Sequence, residues 1–173
     1  MRALHRPTDS LGWWSAKVRQ FRHHVVARVR PEERSGLTAW LTPAQLSLFD
    51  AMHVADRRHG LDVVATLRAH GVTATDVLVA GLLHDCGKGA SVGLWPRVAW
   101  SLSEAYGAQV LGAVSWLPGF GAALDRLRRH AAESARLAAI AGCTPRAVAL
   151  IREQGAPTDP EFGDVFHLAD EAN

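Results

Sequence analysis

The segment LLHDCGKG, residues 82–89, places a histidine and an aspartate side by side at the end of a strongly apolar run. His84 and Asp85 follow DVLVAGLL, and a charged group in such surroundings is costly to bury unless it is paired. A metal ion would compensate that charge, because carboxylates and neutral imidazoles are common metal ligands. The pair therefore predicts a metal site, provided that other parts of the chain supply further ligands.

The composition limits the kind of protein that carries this pair. The chain has 173 residues, 48% hydrophobic and 21% charged, which is enough for one compact domain with its own core. The net charge of +2 gives no strong signal for nucleic-acid binding, although residues 1–34 hold eight Lys and Arg against three acidic residues. Cys86 and Cys143 form no disulfide framework, which is compatible with a reducing compartment. With no signal-peptide pattern and no apolar stretch of spanning length, the sequence predicts a cytoplasmic protein that does not cross a bilayer.

Hydrophobic periodicity predicts helices along nearly the whole chain, separated by proline and glycine. We find no alternating strand pattern and no internal repeat. Thr42 before Pro43 and Thr144 before Pro145 are typical of helix starts, with an N-cap followed by proline. The predicted fold class is all-α, a helical bundle with helices over residues 11–29, 33–40, 44–69, 75–86, 97–116, 121–141, 145–154 and 160–171.

Other predicted helices also carry titratable residues on their apolar faces. Asp56 and His59 interrupt a core-like stripe on the third predicted helix, whose members are three or four residues apart. His130 is the ionisable member of a similar face on a later helix. Asp170 follows Phe166 by one helical turn in the last helix. Several helices are therefore expected to direct His or Asp inward.

This pattern resembles the HD superfamily of metal-dependent phosphohydrolases. HDCGK at residues 84–88 is similar to the HD-x-G-K motif of that family, and DRRHGLDVVATLRAHG is similar to its first ligand helix. The resemblance covers about residues 44–173. It implies a single helical bundle of HD-domain type over residues 41–173, with an added N-terminal amphipathic helical extension over residues 1–40.

The resemblance also implies a ligand set. His59, His84, Asp85 and Asp170 would hold a divalent ion, with Mn, Fe, Co, Ni, Mg and Zn as candidates. The ion would activate water for attack on phosphorus, and Asp85 or a nearby carboxylate would orient that water. Lys88 would meet a phosphate oxygen, or complement the dipole of the helix that it ends. Asp164 replaces Asp170 if the register of the last helix is misread.

The residues favour a mononuclear site and leave a second ion open. Dinuclear members of the superfamily add histidines from two later helices, and His130 fits the first of these positions. At the second, Glu153 and Gln154 stand where histidines often occur. Glu153 either coordinates a hard cation or is an exposed carboxylate at a helix end. Asp56 is a bridging group, a group behind the ligands, or a partner of the neighbouring Arg57 or Arg58.

The implied function is hydrolysis of a phosphomonoester or phosphodiester, with a small phosphorylated substrate such as a nucleotide. Two alternatives stay open, a di-iron HD-type oxygenase and a non-catalytic metal-binding or membrane-associated module. The second rests on residues 11–29, where one apolar stripe lies apart from the Lys and Arg residues. Such a helix either contacts an anionic membrane peripherally or packs on the bundle.

Overall fold

The computed structural model describes residues 27–89 and 118–173, together with positions 95, 96, 99, 102, 103, 111 and 112. Regular structure in these residues is helical throughout, which confirms the predicted all-α class. Seven α-helices have defined bounds: α1 Pro31–Leu37, α2 Pro43–Asp50, α3 Val54–Ala69, α4 Thr75–Leu83, α5 Phe120–Ile140, α6 Pro145–Arg152 and α7 Gly163–Glu171. A short 3-10 helix, Cys86–Lys88, follows α4.

The chain divides into two compact units. Residues 27–90 and 129–173 form one unit, and residues 1–26 and 91–128 are assigned to the other. The predicted helix over 11–29 lies outside the described residues except at 27–29, and the one over 97–116 lies outside them apart from isolated positions. In the first unit, Leu37 of α1 is buried in the core. All the residues of the candidate site belong to this unit.

Both predicted Thr-Pro helix starts are confirmed. The Thr42 hydroxyl accepts from the Gln45 amide at 3.3 Å, and the Gln45 side chain accepts from the Thr42 amide at 3.0 Å. The Thr144 hydroxyl accepts from the Ala147 amide at 3.2 Å. These caps satisfy amides that have no partner inside their own helix.

The prediction of one continuous helix over residues 44–69 is wrong, because the chain breaks between α2 and α3. His53 is extended, with ψ 145°, and its Nδ1 accepts from the Ala55 amide at 3.2 Å. The side chain of His53 therefore starts a second helix. Phe49 and Asp56 are both buried, although the break places them on different helices.

Helix α4 is the central element of the described core, and it packs against α2, α3, α6 and α7. Every residue from Val77 to Leu83 is buried, as expected for a helix that is apolar on all sides. Gly60 of α3 lets the two helices approach closely, because a Cβ there would lie 2.4 Å from the Leu82 carbonyl oxygen. This contact brings the middle of α3 beside the end of α4.

Helix α4 ends at Leu83, earlier than the predicted 86, and the chain turns sharply after it. The 3-10 helix follows at once, and Gly89 then adopts a φ of +73°, which favours glycine. At the other end of the chain, the Asn173 side chain donates to the Thr66 hydroxyl at 2.9 Å and ties α7 to α3. Within the described residues, none of the helices combines the length and apolar character that spanning a bilayer requires.

Candidate metal centre

Three helices bring His59, His84 and Asp170 together. His59 lies on α3, His84 caps the end of α4, and Asp170 lies on α7. Asp170 Oδ1 is 2.9 Å from His59 Nε2 and 3.1 Å from His84 Nε2. One ligand atom from each residue lies within 4.8 Å of the others, so the cluster could hold a metal ion.

The tautomer of His84 explains why a cation fits this cluster. His84 Nδ1 is 2.9 Å from the Gly81 carbonyl oxygen, which can only accept, so Nδ1 carries a hydrogen. The neutral ring then has its lone pair on Nε2, directed at the carboxylate of Asp170. Two lone pairs repel unless a proton or a metal ion lies between them. A carbonyl bound to the opposite ring nitrogen is also the usual support of a metal-binding histidine.

The charges around His84 favour a bound cation. Burial lowers the pKa of His84, but the carboxylates of Asp85 and Asp170 outweigh that effect and raise the pKa to about 9. Burial likewise raises the pKa of Asp170, yet the two histidines hold it well below its usual range. Both shifts arise because the carboxylates and the imidazole rings lie close together in a buried place.

The backbone and ring of His84 have further neighbours. The Gln154 amide donates to the His84 carbonyl oxygen at 3.3 Å and to that of Ile151 at 3.2 Å. The buried Phe166 ring stands edge-on to the imidazole, with ring centroids 6.3 Å apart. These contacts fix where the ring points. The role of Gln154 was missed from the sequence, where only its difference from histidine was noticed.

Asp85 lies next to the trio and has an oxygen to spare. Its Oδ2 is 3.7 Å from His84 Nε2 and is also paired with the Lys88 ammonium. Its Oδ1 is buried without a hydrogen-bond partner, at 3.6 Å from His130 Nε2. Burial raises the pKa of Asp85, but Lys88 and the neighbouring histidines hold it well below its usual range. A buried, ionised and unbonded oxygen calls for an explanation, and a metal ion or its bound water supplies one.

The remaining predicted residues lie at different distances from the three side chains. His130, on α5, lies beside Asp85 as just described. Glu153 instead binds Thr158: its carboxylate accepts from the Thr158 hydroxyl at 2.6 Å and from the Thr158 amide at 3.2 Å. Asp164 is exposed in the first turn of α7, away from the position that Asp170 occupies.

Asp56 was left with several possible partners, of which Arg58 is used elsewhere. The Arg58 guanidinium pairs with Glu33 at 2.8 Å and with Asp62 at 2.9 Å. Asp56 itself is buried on α3, one turn before His59. Its burial is consistent with a place behind the ligands.

The four side chains differ in exposure. The His84 and Asp85 side chains are 1% and 3% exposed, whereas those of His59 and Asp170 are 22% and 26% exposed. The cluster therefore combines two buried side chains with two partly exposed ones. Comparisons of the chain with protein-family models, with curated proteins and with solved structures find no match in any of the three.

Proposed function

We propose that this chain is a metal-dependent phosphohydrolase of the HD type, which hydrolyses a phosphomonoester or phosphodiester such as a nucleotide. One observation carries the proposal: His59 and His84 meet on a single oxygen of Asp170, beside a buried carboxylate with an unbonded oxygen. A mixed set of imidazole and carboxylate favours Mn, Fe, Co, Ni or Zn over Mg, which prefers oxygen ligands. The resemblance of HDCGK to the HD-x-G-K motif supports the same class.

In this proposal, His59, His84, Asp85 and Asp170 would hold the ion. When bound, a divalent ion would lower the pKa of a coordinated water and neutralise charge on the phosphoryl oxygens. The carbonyl of Gly81 keeps His84 Nε2 directed into the site. Asp85 Oδ1, which has no hydrogen bond of its own, would accept a hydrogen bond from the attacking water and so orient it.

Lys88 supplies positive charge beside these ligands. Its ammonium pairs with Asp85, and the side chain is 22% exposed, so it can reach both the buried carboxylate and an incoming phosphate. A preorganised cation at this place would stabilise charge that develops on the phosphoryl group. His130, close to Asp85 Oδ1, is the candidate ligand for a second ion.

The di-iron oxygenase gains no support from the residues near α6. Glu153 binds Thr158, and Gln154 donates to the main chain of His84. Both side chains are used in these contacts, and neither residue is a histidine. The membrane-associated alternative rests on residues 11–29, which lie almost wholly outside the described part of the chain.

The proposal is tested with metal-stripped protein and a panel of phosphomonoesters, phosphodiesters and nucleotides, each with Mn, Fe, Co, Ni, Zn or Mg. We expect metal-dependent hydrolysis by the wild type. Asp170→Asn should lose more than about 100-fold, beyond the ten- to hundredfold typical of groups behind the ligands. Asp164→Asn, a matched change on the same helix, should retain activity.

Metal analysis of the same samples separates the alternatives. Stoichiometric metal in the wild type with no hydrolysis of any ester would argue against a phosphohydrolase. Two irons per chain, with oxygen consumption, would favour the oxygenase. Equal losses in Asp170→Asn and Asp164→Asn would show that the proposed ligand assignment is mistaken.

A further inference from the structure

The turn that carries Asp85 and Lys88 is attached to α5 through Ser134. The Gly87 amide donates to the Ser134 hydroxyl at 2.8 Å, and both groups are buried. Within the turn, the Lys88 amide donates to the Asp85 carbonyl at 3.0 Å. The first amides of a short helix have no partner inside it, so Gly87 needs an acceptor from another element. Ser134 provides it.

The main chains of the turn and of α5 are in direct contact at the same place. A Cβ on residue 87 would lie 2.5 Å from both the His130 carbonyl oxygen and the Ser134 amide nitrogen. Only glycine allows this approach. Ser134 is completely buried, and the Cys86 thiol lies 3.7 Å from its carbonyl oxygen. The serine therefore acts on the turn and has no route to solvent or substrate.

Ser134 also links the turn to the position of His130. The two residues are one helical turn apart on α5, and His130 Nε2 is 3.6 Å from Asp85 Oδ1. The hydrogen bond to Gly87 thus sets the distance between the Asp85 carboxylate and α5. Asp85 precedes Gly87 by two residues and Lys88 follows it directly, so a shift of the Gly87 peptide would move both charged groups.

We infer that Ser134 is a positioning residue, whose hydroxyl holds the Gly87 amide so that Asp85 and Lys88 keep their places at the metal centre. The part of this role that concerns the metal rests on the proposed function. The attachment of the turn does not. An isolated mispositioning of about 1 Å can reduce turnover about a hundredfold, so such a residue matters without touching substrate.

The test uses the full chain, first without metal. Amide hydrogen exchange, followed by NMR, should show Gly87 and Lys88 protected in the wild type. Ser134→Ala should speed exchange at both amides by at least about tenfold, because it removes the acceptor of one buried hydrogen bond. Ser134→Thr, which keeps the hydroxyl, should restore protection. Ala138→Gly, a destabilising change one turn further along α5, should leave these two amides protected.

The same variants are then titrated with Mn²⁺, and free ion is read by electron paramagnetic resonance. Ser134→Ala should bind Mn²⁺ about ten- to hundredfold more weakly, as expected for a group that supports a ligand, and Ala138→Gly should bind it as the wild type does. A wild type that binds no metal would count against the proposed function, while the exchange data would still decide the role of Ser134.

Three results would overturn the inference. The first is fast exchange at Gly87 in the wild type. This measurement needs no variant, so it tests the inference even if Ser134→Ala does not fold. The second is unchanged exchange in Ser134→Ala. The third is the same loss of protection in Ala138→Gly, which would mean that only general stability had changed.

Discussion

The chemistry of the site depends on which atoms of each side chain are already used. The Gly81 carbonyl oxygen accepts a hydrogen bond from Nδ1 of His84, which leaves Nε2 as the ring nitrogen that faces the candidate metal centre. The Lys88 ammonium pairs with Oδ2 of Asp85, while Oδ1 is buried without a hydrogen-bond partner. Each residue is thus held through one atom and presents the other. This division of roles lets a rigid site keep ligand atoms available without burying mobile side chains.

Lys88→Ala should separate binding from catalysis. Loss of the ammonium removes a cation that shares Asp85 with the metal, so metal affinity should stay the same or increase. Hydrolysis should fall by about ten- to a thousandfold if the charge stabilises the transition state. Metal titration and steady-state kinetics on the same samples measure both quantities.

Lys88→Arg is the matched control for this charge. It keeps the positive charge but replaces a compact ammonium with a planar fork, so only part of the rate should return. Wild-type turnover by Lys88→Ala would reduce the lysine to a helix-end cation that balances Asp85.

Metal binding should depend on pH through His84. Burial lowers the pKa of its ring, but Asp85 and Asp170 outweigh burial and raise the pKa to about 9. A metal ion binds only the neutral ring, so below that pKa it must displace a proton. The apparent affinity should therefore rise with pH, by close to tenfold per unit, and level off above the pKa. Calorimetry in buffers of different ionisation enthalpy should detect about one proton released per ion; an affinity that is flat with pH would contradict the assignment of His84.

At the residue scale, the sequence predicted the candidate ligands better than the contacts of the residues around them. Polar interruptions of apolar faces predicted inward-facing His and Asp residues, and the family resemblance implied His59, His84 and Asp170 as ligands. The structure brings these three together. Glu153 was left open between a ligand and an exposed carboxylate at a helix end, because its partner, Thr158, lies in a loop that no periodicity describes. The contacts of Ser134 and Gln154 could not be predicted, since an uncharged polar residue on a buried face has many possible partners.

At the scale of helices, close approaches position the ligands. His59 precedes Gly60, where α3 touches the end of α4, and His84 follows that end directly. The helices were predictable from their periodicity and their Thr-Pro starts. The break before α3 was not, because a histidine is an uncommon N-cap and no proline or glycine marks it. The end of α4 was overestimated because His84 and Asp85 continue the apolar run without a helix-stop signal.

Gly60→Ala tests the contact between α3 and α4. A Cβ there would lie 2.4 Å from the Leu82 carbonyl oxygen, a backbone atom that cannot rotate away. The variant should lose about 1–3 kcal/mol of unfolding free energy, as overpacked sites do, despite the better helix propensity of alanine. Urea denaturation measures this loss.

Gly36→Ala in α1 is the matched control, because a Cβ at that position meets nothing within 4 Å. It should be neutral or stabilise the protein by up to about 1 kcal/mol. Equal stability of the two variants would mean that α3 and α4 do not meet as described.

At the scale of the whole molecule, the centre joins distant parts of the chain. His59 and Asp170 are 111 residues apart in sequence, and His84 lies between them on a third element. The Asn173 side chain, bound to Thr66, already ties α7 to α3 near the same place. An ion held by all three residues would connect α3, α4 and α7, and it would bind the folded chain far better than the unfolded one.

Metal should therefore stabilise the fold measurably. At free metal about 100 times its dissociation constant, preferential binding to the folded chain contributes about 2.7 kcal/mol. For a protein of this size that amounts to a rise of about 5–10 °C in melting temperature, which a chelator should reverse. Differential scanning calorimetry of the stripped and reloaded protein measures the shift. Asp164→Asn should shift as the wild type does, whereas Asp170→Asn should lose most of the shift because one of the three connections is gone. A melting temperature that does not respond to any of the candidate metals would mean that the three side chains meet without holding an ion.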